Sequence, residues 1–569
     1  MTDSEQKTKS QVLMEIAENI GAVFLDQFNQ PYIVAGQTDH DEVIPLNSKK
    51  FKSLLANKFY TYFNSPANHS MIQSVVLTLT GQAEVSKTTY TLQNRVAWHD
   101  KKIFYDLTNP AWDCVEIDSQ GWQITKAPLP LFKRYAHQHP QVKPADTPIT
   151  LDELLNLFQF EDDSLKIVLH VWIISCFIPD IPHPALVLHG AQGSTKSTFF
   201  KFVRALVDPS ALELISFPKD KSELMQNLAH HYFAPFDNVF YLTQEQSDVL
   251  CKAVTGEGAS KRQLFTDSED IIFSYRRIVC LNGINNAVTK PDLLDRAILG
   301  TFNRLSKNQR KTDNEVKAWF DERRAGFLTH IFDVLAQAMK IKKDLKILEL
   351  PRMADFALWG ESISLALGNK KNEFLQAYFK NIDYQLHEAL EGSPIGEAIM
   401  LFLENKATWE GTPSELLSEL EAVAEQNKIK TYDKAWPKAA NSLSRRLNEL
   451  KTTLSDLGLF VEDRKGVKRK IIISKNIVNT AVSSETTINT LKQGKLFDDK
   501  DDKDGIPTNL MLHEPQTVKV RVLGDSIPEF VLEDGQTVPA SKKGDILNVS
   551  KSQGDILIFR KLAEAVSGG

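Results

Sequence analysis

GAQGSTKST, residues Gly190 to Thr198, is the stretch on which the reading of this chain turns. The apolar run Ala185-Leu186-Val187-Leu188 leads into it, and Phe199, Phe200, Phe202, Val203 and Leu206 follow at spacings a helix accommodates. Strand, glycine-bearing loop and helix is the layout of a phosphate-binding loop. The whole run, Gly190, Ala191, Gln192, Gly193, Ser194, Thr195, Lys196, Ser197 and Thr198, is expected to contact nucleotide. Backbone N–H groups and the positive end of the helix would cradle a β-phosphate. Lys196 would reach the β/γ oxygens as a point charge, and the Ser197 hydroxyl would ligate Mg2+. One residue departs from the pattern: Thr195 stands where a glycine is usual before the lysine.

The rest of the chain bounds that reading. Its 569 residues suggest about three to five domains. Composition is that of an ordinary globular protein, 42% hydrophobic and 25% charged. No apolar run approaches the ~18 residues of a membrane span. The start, MTDSEQKTKSQ, carries no signal-peptide core, so a cytoplasmic location is expected. Cys114, Cys176, Cys251 and Cys280 lie far apart, which reads as buried thiols rather than a disulfide framework or zinc site. With a net charge of −6, any nucleic-acid contact must come from local basic surfaces.

A phosphate-binding loop needs a second carboxylate for the metal. HHYFAPFDN (230–238) supplies Asp237 at the end of an apolar run. Pro235 lies inside that run and removes a ladder hydrogen bond. Asn238 follows, an amide where a water-activating glutamate is common; an amide orients water but is a poor base. RRIVCLNG (276–283) gives another buried strand, ending in Asn282, a candidate sensor of the γ-phosphate. PDLLDRAI (291–298) presents Arg296, a candidate to complete a neighbouring subunit's site.

Around this core the chain divides as follows. Residues 1–138 read as an α+β domain with strand-like runs AVFLDQ, PYIVAG, SVVLTLTG and KIFYDL and a helix near 48–63. Its His40, His69 and His99 lack ligand spacing. HQHPQVKPADTP (137–148) reads as a proline-rich linker within a lead-in, 139–182. Thr150 to Glu153 has the capping-box pattern and opens a helical region to about 178. The α/β core takes 183–310 and a helical region 311–392.

Residues 393–476 read as a winged helix. WPKAANSLSRRLNELKTTLSDLGL (436–459) puts Leu443, Leu447, Leu450 and Leu454 on one helix face, with Lys438, Asn441, Ser444, Arg445 and Lys451 away from it. LFVEDRKGVKRKIIIS then forms a strand pair bent at Arg464-Lys465-Gly466. Between 435 and 475 ten Lys/Arg face four acids, in a chain that is acidic overall. DNA contact is expected at Lys438, Asn441, Arg445, Arg464, Lys465, Lys468 and Arg469, mostly to phosphates. A flexible linker spans 477–515 and includes the charge-dense LFDDKDDKDGIP (496–507), and 516–569 reads as strands with turns at Asp534-Gly535 and Lys543-Gly544-Asp545, then a helix carrying LAEA.

The order GAQGSTKSTFF, FAPFDN, ASKRQLFTDSEDIIFSYRRIVCLNG and DLLDRAI resembles the superfamily 3 helicases of the AAA+ class, especially the poxvirus-type primase-helicases and related ATPases of plasmids, phages and integrative elements. LPRMADFALWG (350–360) resembles the helical tail of the mobile-element ATPases, and the N-terminal region their front part, where it assists DNA handling or assembly. The resemblance implies that SKRQLFTDSEDIIF is a hairpin with a tip at Thr266-Asp267-Ser268, and that Lys261 and Arg262 touch DNA. The stretch 517–566 resembles the small B domain of archaeal GINS subunits, which implies docking to replication proteins and an archaeal host or mobile element.

The fold class expected is multidomain α/β: a P-loop AAA+ ATPase core, an α+β N-terminal domain, a winged helix and a small β-rich C-terminal domain. The resemblance implies an ATP- and Mg2+-dependent DNA helicase or translocase, working as a homo-oligomeric ring, a hexamer, in replication of a plasmid, virus or integrated element. The alternative is a DNA-binding initiator or loader that uses ATP as a switch and hydrolyses it slowly; Thr195 and Asn238 favour it. A small-molecule kinase on the same core leaves the basic helix and wing unexplained.

Overall fold

The computed structural model describes residues 7–37, 39–262, 270–273, 275–306, 308, 310–391, 393–404, 406–432, 436–464 and 470–475, and seven strands between 517 and 565. Two compact units result, Met1–Ala481 and Val482–Gly569.

The centre of the first unit is a five-stranded parallel sheet. Its strands are β1 (Ala185–His189), β2 (Ile215–Ser216), β3 (Phe233–Asp237), β4 (Ile278–Asn282) and β5 (Ala297–Thr301), in the order β2-β3-β4-β1-β5. β4 and β5 pair with β1 on its two sides. The strands are almost wholly buried, as parallel strands covered on both faces must be. Helices Lys196–Val207, Lys221–His230 and Gln244–Thr255 supply the connections. The carboxyl ends of β1, β3 and β4 therefore converge at a reversal of strand order, where such sheets bind ligands. β2 pairs only with Phe236 and Asp237, so the flank from Phe233 to Pro235 has no strand neighbour on that side. A proline is accommodated there without breaking the sheet.

β5 is an edge strand, and side chains cover it. Asn381, on helix Glu373–Glu391, accepts from Leu299 N (3.1 Å) and donates to Leu299 O (2.6 Å). Gln385, one turn on, donates to Ala297 O at 2.6 Å. Two amides thus satisfy the backbone groups that an edge exposes.

The N-terminal part holds two sheets. Strands Gly21–Asp26, Pro31–Gly36, Asp41–Pro45 and Thr89–Tyr90 pack on helices Lys9–Glu18, Lys49–Phe63 and His69–Ser86. SVVLTLTG, expected as a strand, lies inside helix His69–Ser86. Asn68 caps it, and Val75, Val76, Leu79 and Ala83 bury one face at helical spacing; that burial overrides the β preference of the valines and threonines. The second sheet is an antiparallel meander, Val96–His99, Lys102–Asp106, Asp113–Asp118 and Gly121–Lys126.

The expected boundary at 138 is not a gap in the core. Val96, Ile103, Tyr105, Val115 and Ile117 belong to the same apolar cluster as the parallel sheet. Arg95 and Asp208, both fully buried, pair at 3.0 Å across it. The stretch 137–148, expected as a linker, is docked: Gln138 bridges Ser210, and Gln141 Nε2 donates to Tyr105 Oη (2.8 Å) and Leu206 O (2.6 Å). The capping box at Thr150 does not form. Helix Leu151–Leu155 ends after five residues, Thr150 makes no side-chain cap, and Asp162 caps a new helix, Asp163–Ser175.

The helices Asp313–Lys342, Ala354–Ala366 and Glu373–Glu391 follow the sheet. Pro394–Leu403, Thr408–Gly411, Pro413–Gln426, Ala440–Asp456, Leu459–Arg464 and Lys470–Lys475 then build a separate small core around Ile399, Leu416, Leu443, Leu447, Leu454 and Ile473. The sheet order is 408–411, 470–475, 459–464, antiparallel, and helix Ala440–Asp456 precedes the strand pair 459–464 and 470–475. The expected leucine face is buried, but Ser444 is buried too, bonding back to Ala440 O at 3.1 Å.

In the second unit, Thr517–Val522 pairs with Ile546–Ser550 and with Ala563–Ala565. Ala563–Ala565 was expected in a helix; extending the ladder of 520–522 satisfies its backbone instead. The turns at 534–535 and 543–545 lie outside the described residues. Among the described residues no helix is long and apolar enough to cross a membrane, and all four cysteines are buried free thiols.

Candidate functional site

The loop from Gly190 to Thr195 joins β1 to the helix Lys196–Val207 at the carboxyl edge of the sheet. Gly190 (φ 130°) and Gly193 (φ 78°) take conformations that favour glycine. At Gly190 a Cβ would also meet Phe302 O at 3.0 Å. Thr195 has φ 64°, so the backbone keeps the left-handed turn that a glycine would supply. For a β-branched residue that costs about 1–2 kcal/mol. Its Oγ1 donates to Ser194 O at 2.6 Å.

Lys196 is folded back over the loop. Its Nζ donates to Gly190 O (2.8 Å), Ala191 O (3.1 Å) and Ser194 Oγ (2.9 Å). Burial lowers its pKa, and the charge of Asp237 opposes that shift. Ser197 Oγ donates to Asp237 Oδ1 at 2.9 Å. Asn282 Nδ2 donates to Ser197 Oγ at 3.2 Å, and Asn282 Oδ1 accepts from Asn238 N at 2.8 Å. Asn238 has φ 58°, a conformation asparagine tolerates. Behind it Gly283 lies so close to Val239 O that a Cβ would stand 2.5 Å away. Three strand ends and one helix start thus place Lys196, Ser197, Asp237, Asn238 and Asn282 together. Ser197 and Asp237 offer hard oxygen ligands, a set that fits Mg2+ shared with phosphate and water. Among the described residues no cluster of three His, Cys, Asp or Glu forms an all-protein metal site.

The cleft over this network has a volume of about 450 Å3 and includes Asp313, at the start of the helix Asp313–Lys342. It shares Gly193, Thr195, Ser197, Thr198 and Asp313 with a deeper pocket of about 570 Å3. Leu157, Phe158, Phe202, Val316 and Phe320 line that pocket, with Arg304 and Arg310 beside them. Phe202 and Phe320 stack at 4.3 Å. Its walls come from segments 157–158 and 304–324 folding onto the loop. No local motif marks them, so sequence reasoning missed Asp313, Arg304 and the apolar pocket.

Arg296 lies elsewhere. Its side chain is 12% exposed, and Nη1 donates to Asp292 O (2.7 Å) and to the Asp292 carboxylate. It lines a pocket with Glu245, Asp248 and Cys251 that contains none of the loop residues. Arg352, 46% exposed, pairs with Asp295 and with Asp292 in the same cluster.

Lys261 and Arg262 lie in strand Ala259–Arg262, which pairs with Asp270–Phe273 as the expected hairpin. Their side chains, and the tip at 266–268, lie outside the described residues. Lys438, Asn441 and Arg445 are exposed at and along the helix Ala440–Asp456, and Arg464 is exposed at the end of its strand. Lys465, Lys468 and Arg469 lie outside the described residues.

Residues 151–385 match the family model described as actinomycete integrative conjugative element replication protein, and residues 395–486 the model described as the AICE RepA C-terminal domain. No curated protein matches the chain. Among solved structures, the A form apo structure of the NrS-1 C-terminal region aligns at a TM-score of 0.37 and 13% identity, covering 81% of this chain and 98% of that one. A further apo structure of that region aligns at 0.36 and 12%, covering 82% and 99%. The stretch 517–566, whose resemblance suggests an archaeal host or mobile element, lies outside both family matches.

Proposed function

We propose, for a chain that over residues 151–385 and 395–486 belongs to the RepA family of actinomycete integrative conjugative element replication proteins, that its parallel sheet is a P-loop ATPase core driving DNA unwinding or translocation. The observation that carries this is the hydrogen-bonded set Ser197–Asp237–Asn282–Asn238 beside the loop. Phosphate oxygens would replace the carbonyls that now hold Lys196, and the phosphate charge would offset the burial that lowers its pKa. Ser197 and Asp237 would hold Mg2+, which supplies charge neutralisation across the β/γ oxygens. Asn282 touches both Ser197 Oγ and Asn238 N, so it can couple the occupancy of the cleft to the loop after β3. The Leu157–Phe158–Phe202–Phe320 pocket is the right size and polarity for the base.

Arg296 acts in trans in this reading, in a hexameric ring, once its bond to Asp292 is exchanged for a neighbour's γ-phosphate. The exposed cations of the winged helix hold DNA, and the C-terminal unit docks to replication proteins. Asn238 favours a second reading, an ATP-switched initiator or loader with slow hydrolysis. A forked duplex separates the two: ATP-dependent strand displacement supports the helicase, and nucleotide-gated binding without displacement supports the switch.

A further inference from the structure

We propose that an aromatic turn at the rim of the nucleotide cleft is the seat for a leucine-bearing loop of a second copy of this chain, and that this contact carries Arg296 to the neighbour's cleft. The contact rests on the reading of Arg296 as a group that acts in trans.

The turn follows Asn238. Val239 is buried and its N donates to Asn282 O at 2.7 Å; Leu242, three residues on, is buried too. Phe240 and Tyr241, held between these anchors, are each 66% exposed. Ile284 lines the cleft, accepts from Gly190 N at 3.1 Å and is also exposed. Its loop touches the turn, since Gly283 has no room for a Cβ against Val239 O. The leucine-bearing loop joins helices Asp313–Lys342 and Ala354–Ala366. Ile347 packs on the core and Met353 is buried, yet Leu348 is 96% exposed and Leu350 half-exposed. Apolar side chains grouped on a surface mark contact sites, where scattered single ones do not.

The leucine loop is tied to Arg296. Arg352, at its end, pairs with Asp295 and, at 3.3 Å, with Asp292. Asp292 is the residue that holds Arg296. Whatever seats the loop therefore positions Arg296. The pocket of Arg296 contains none of the phosphate-loop residues, so the cleft it can serve is another copy's. Charge favours the same partner. Residues 237–248 carry three acids and no Lys or Arg, and residues 340–352 carry five Lys or Arg against two acids. An acidic turn repels DNA phosphates and attracts the basic loop. Two different patches that meet head to tail build a ring when the rotation closes.

The test uses the full chain with Mg2+, a non-hydrolysable ATP analogue and forked DNA. The four native cysteines are buried, so Tyr241→Cys and Leu348→Cys each add one reactive thiol. In a head-to-tail contact a short bismaleimide joins the two variants, mixed before assembly, about tenfold more than it joins either alone. No joined pair in the mixture, or equal joining within one variant alone, overturns the contact. Leu348→Asp alters a side chain outside the core, so the thermal midpoint and nucleotide binding stay unchanged, while light scattering shows monomer where the wild type assembles. With ATP in place of the analogue, its DNA-stimulated hydrolysis falls about a hundredfold or more, because the trans arginine is lost. Leu348→Met keeps both assembly and rate. A wild type that stays monomeric, or a Leu348→Asp variant that assembles as the wild type does, overturns the contact. If the mixture is joined and the wild type hydrolyses no ATP, the contact stands and the ATPase reading falls.

Discussion

Replacing Asn282 tests how the candidate site is wired. Asn282→Ala removes the bond to Ser197 Oγ (3.2 Å) and the acceptor for Asn238 N (2.8 Å). Each neutral hydrogen bond contributes about 1 kcal/mol, and the stranded Asn238 N–H adds about 1 kcal/mol or more. About 2–3 kcal/mol of restraint on the Ser197 hydroxyl and the Asn238 backbone is therefore lost. If that restraint acts in the transition state, turnover falls roughly 30- to 150-fold, at about 1.4 kcal/mol per factor of ten. Lys196 and the loop are untouched, so binding of a fluorescent ATP analogue changes less than threefold. Asn282→Asp keeps the acceptor for Asn238 N but sets a second carboxylate near Asp237. It should lower the Mg2+ concentration needed for half-maximal turnover without restoring the rate. The assay is steady-state phosphate release across a Mg2+ titration, beside equilibrium nucleotide binding. Asn282→Ala turning over within twofold of wild type would refute the coupling.

Other outcomes follow from the same geometry. Asp208→Ala strands the fully buried Arg95 guanidinium and should destabilise by about 3–5 kcal/mol, read as a lower thermal midpoint; a change under 1 kcal/mol contradicts the pair's role. Thr195→Gly relieves a left-handed β-branched residue but frees the unfolded chain, so stability should rise by no more than about 1 kcal/mol; a large loss would mean that Thr195 Oγ1 does more than bond Ser194 O. Burial, with Arg204 and His137 next, pushes His231 down to about 3, and burial pushes His183 and His170 down to about 4. These folded values lie below the unfolded ~6.5, so the stability they contribute is complete above pH 6.5 and is lost as pH falls toward 3–4, by up to about 1.4 kcal/mol per pH unit for each histidine. A thermal midpoint that does not fall between pH 7 and pH 5 contradicts this. Among the described residues Asp313 and Asp237 are the two carboxylates lining the cleft, so Asp313→Asn should slow hydrolysis if it supplies the base that Asn238 lacks; an unchanged rate excludes that role.

The sheet was legible because its signals are local. Apolar runs ending in Asp237 and Asn282, and glycines before Lys196, need only nearest neighbours to be read. Helix Ala440–Asp456 was legible for the same reason, through Leu443, Leu447, Leu450 and Leu454. What escaped depends on distant packing. SVVLTLTG became helix because Val75, Val76 and Leu79 found a core on one side. The proline-rich 137–148 became a docked strap because Gln141 met Tyr105 and Leu206. The apolar pocket beside the loop is built from three segments far apart in sequence, and Phe202 and Phe320 meet only after folding. Thr195 was legible as an anomaly but not as a left-handed residue. The backbone conformation, rather than the residue type, is what the loop preserves.

The most direct measurement is DNA-stimulated ATP hydrolysis by Lys196→Ala beside the wild type. Lys196 sits 2.8–3.1 Å from the loop groups it would leave for phosphate. Hydrolysis stimulated by forked DNA in the wild type, and reduced at least a hundredfold in the variant while the fold and DNA binding persist, is the expected result. Equal hydrolysis by both proteins would contradict the assignment of this loop as the nucleotide site.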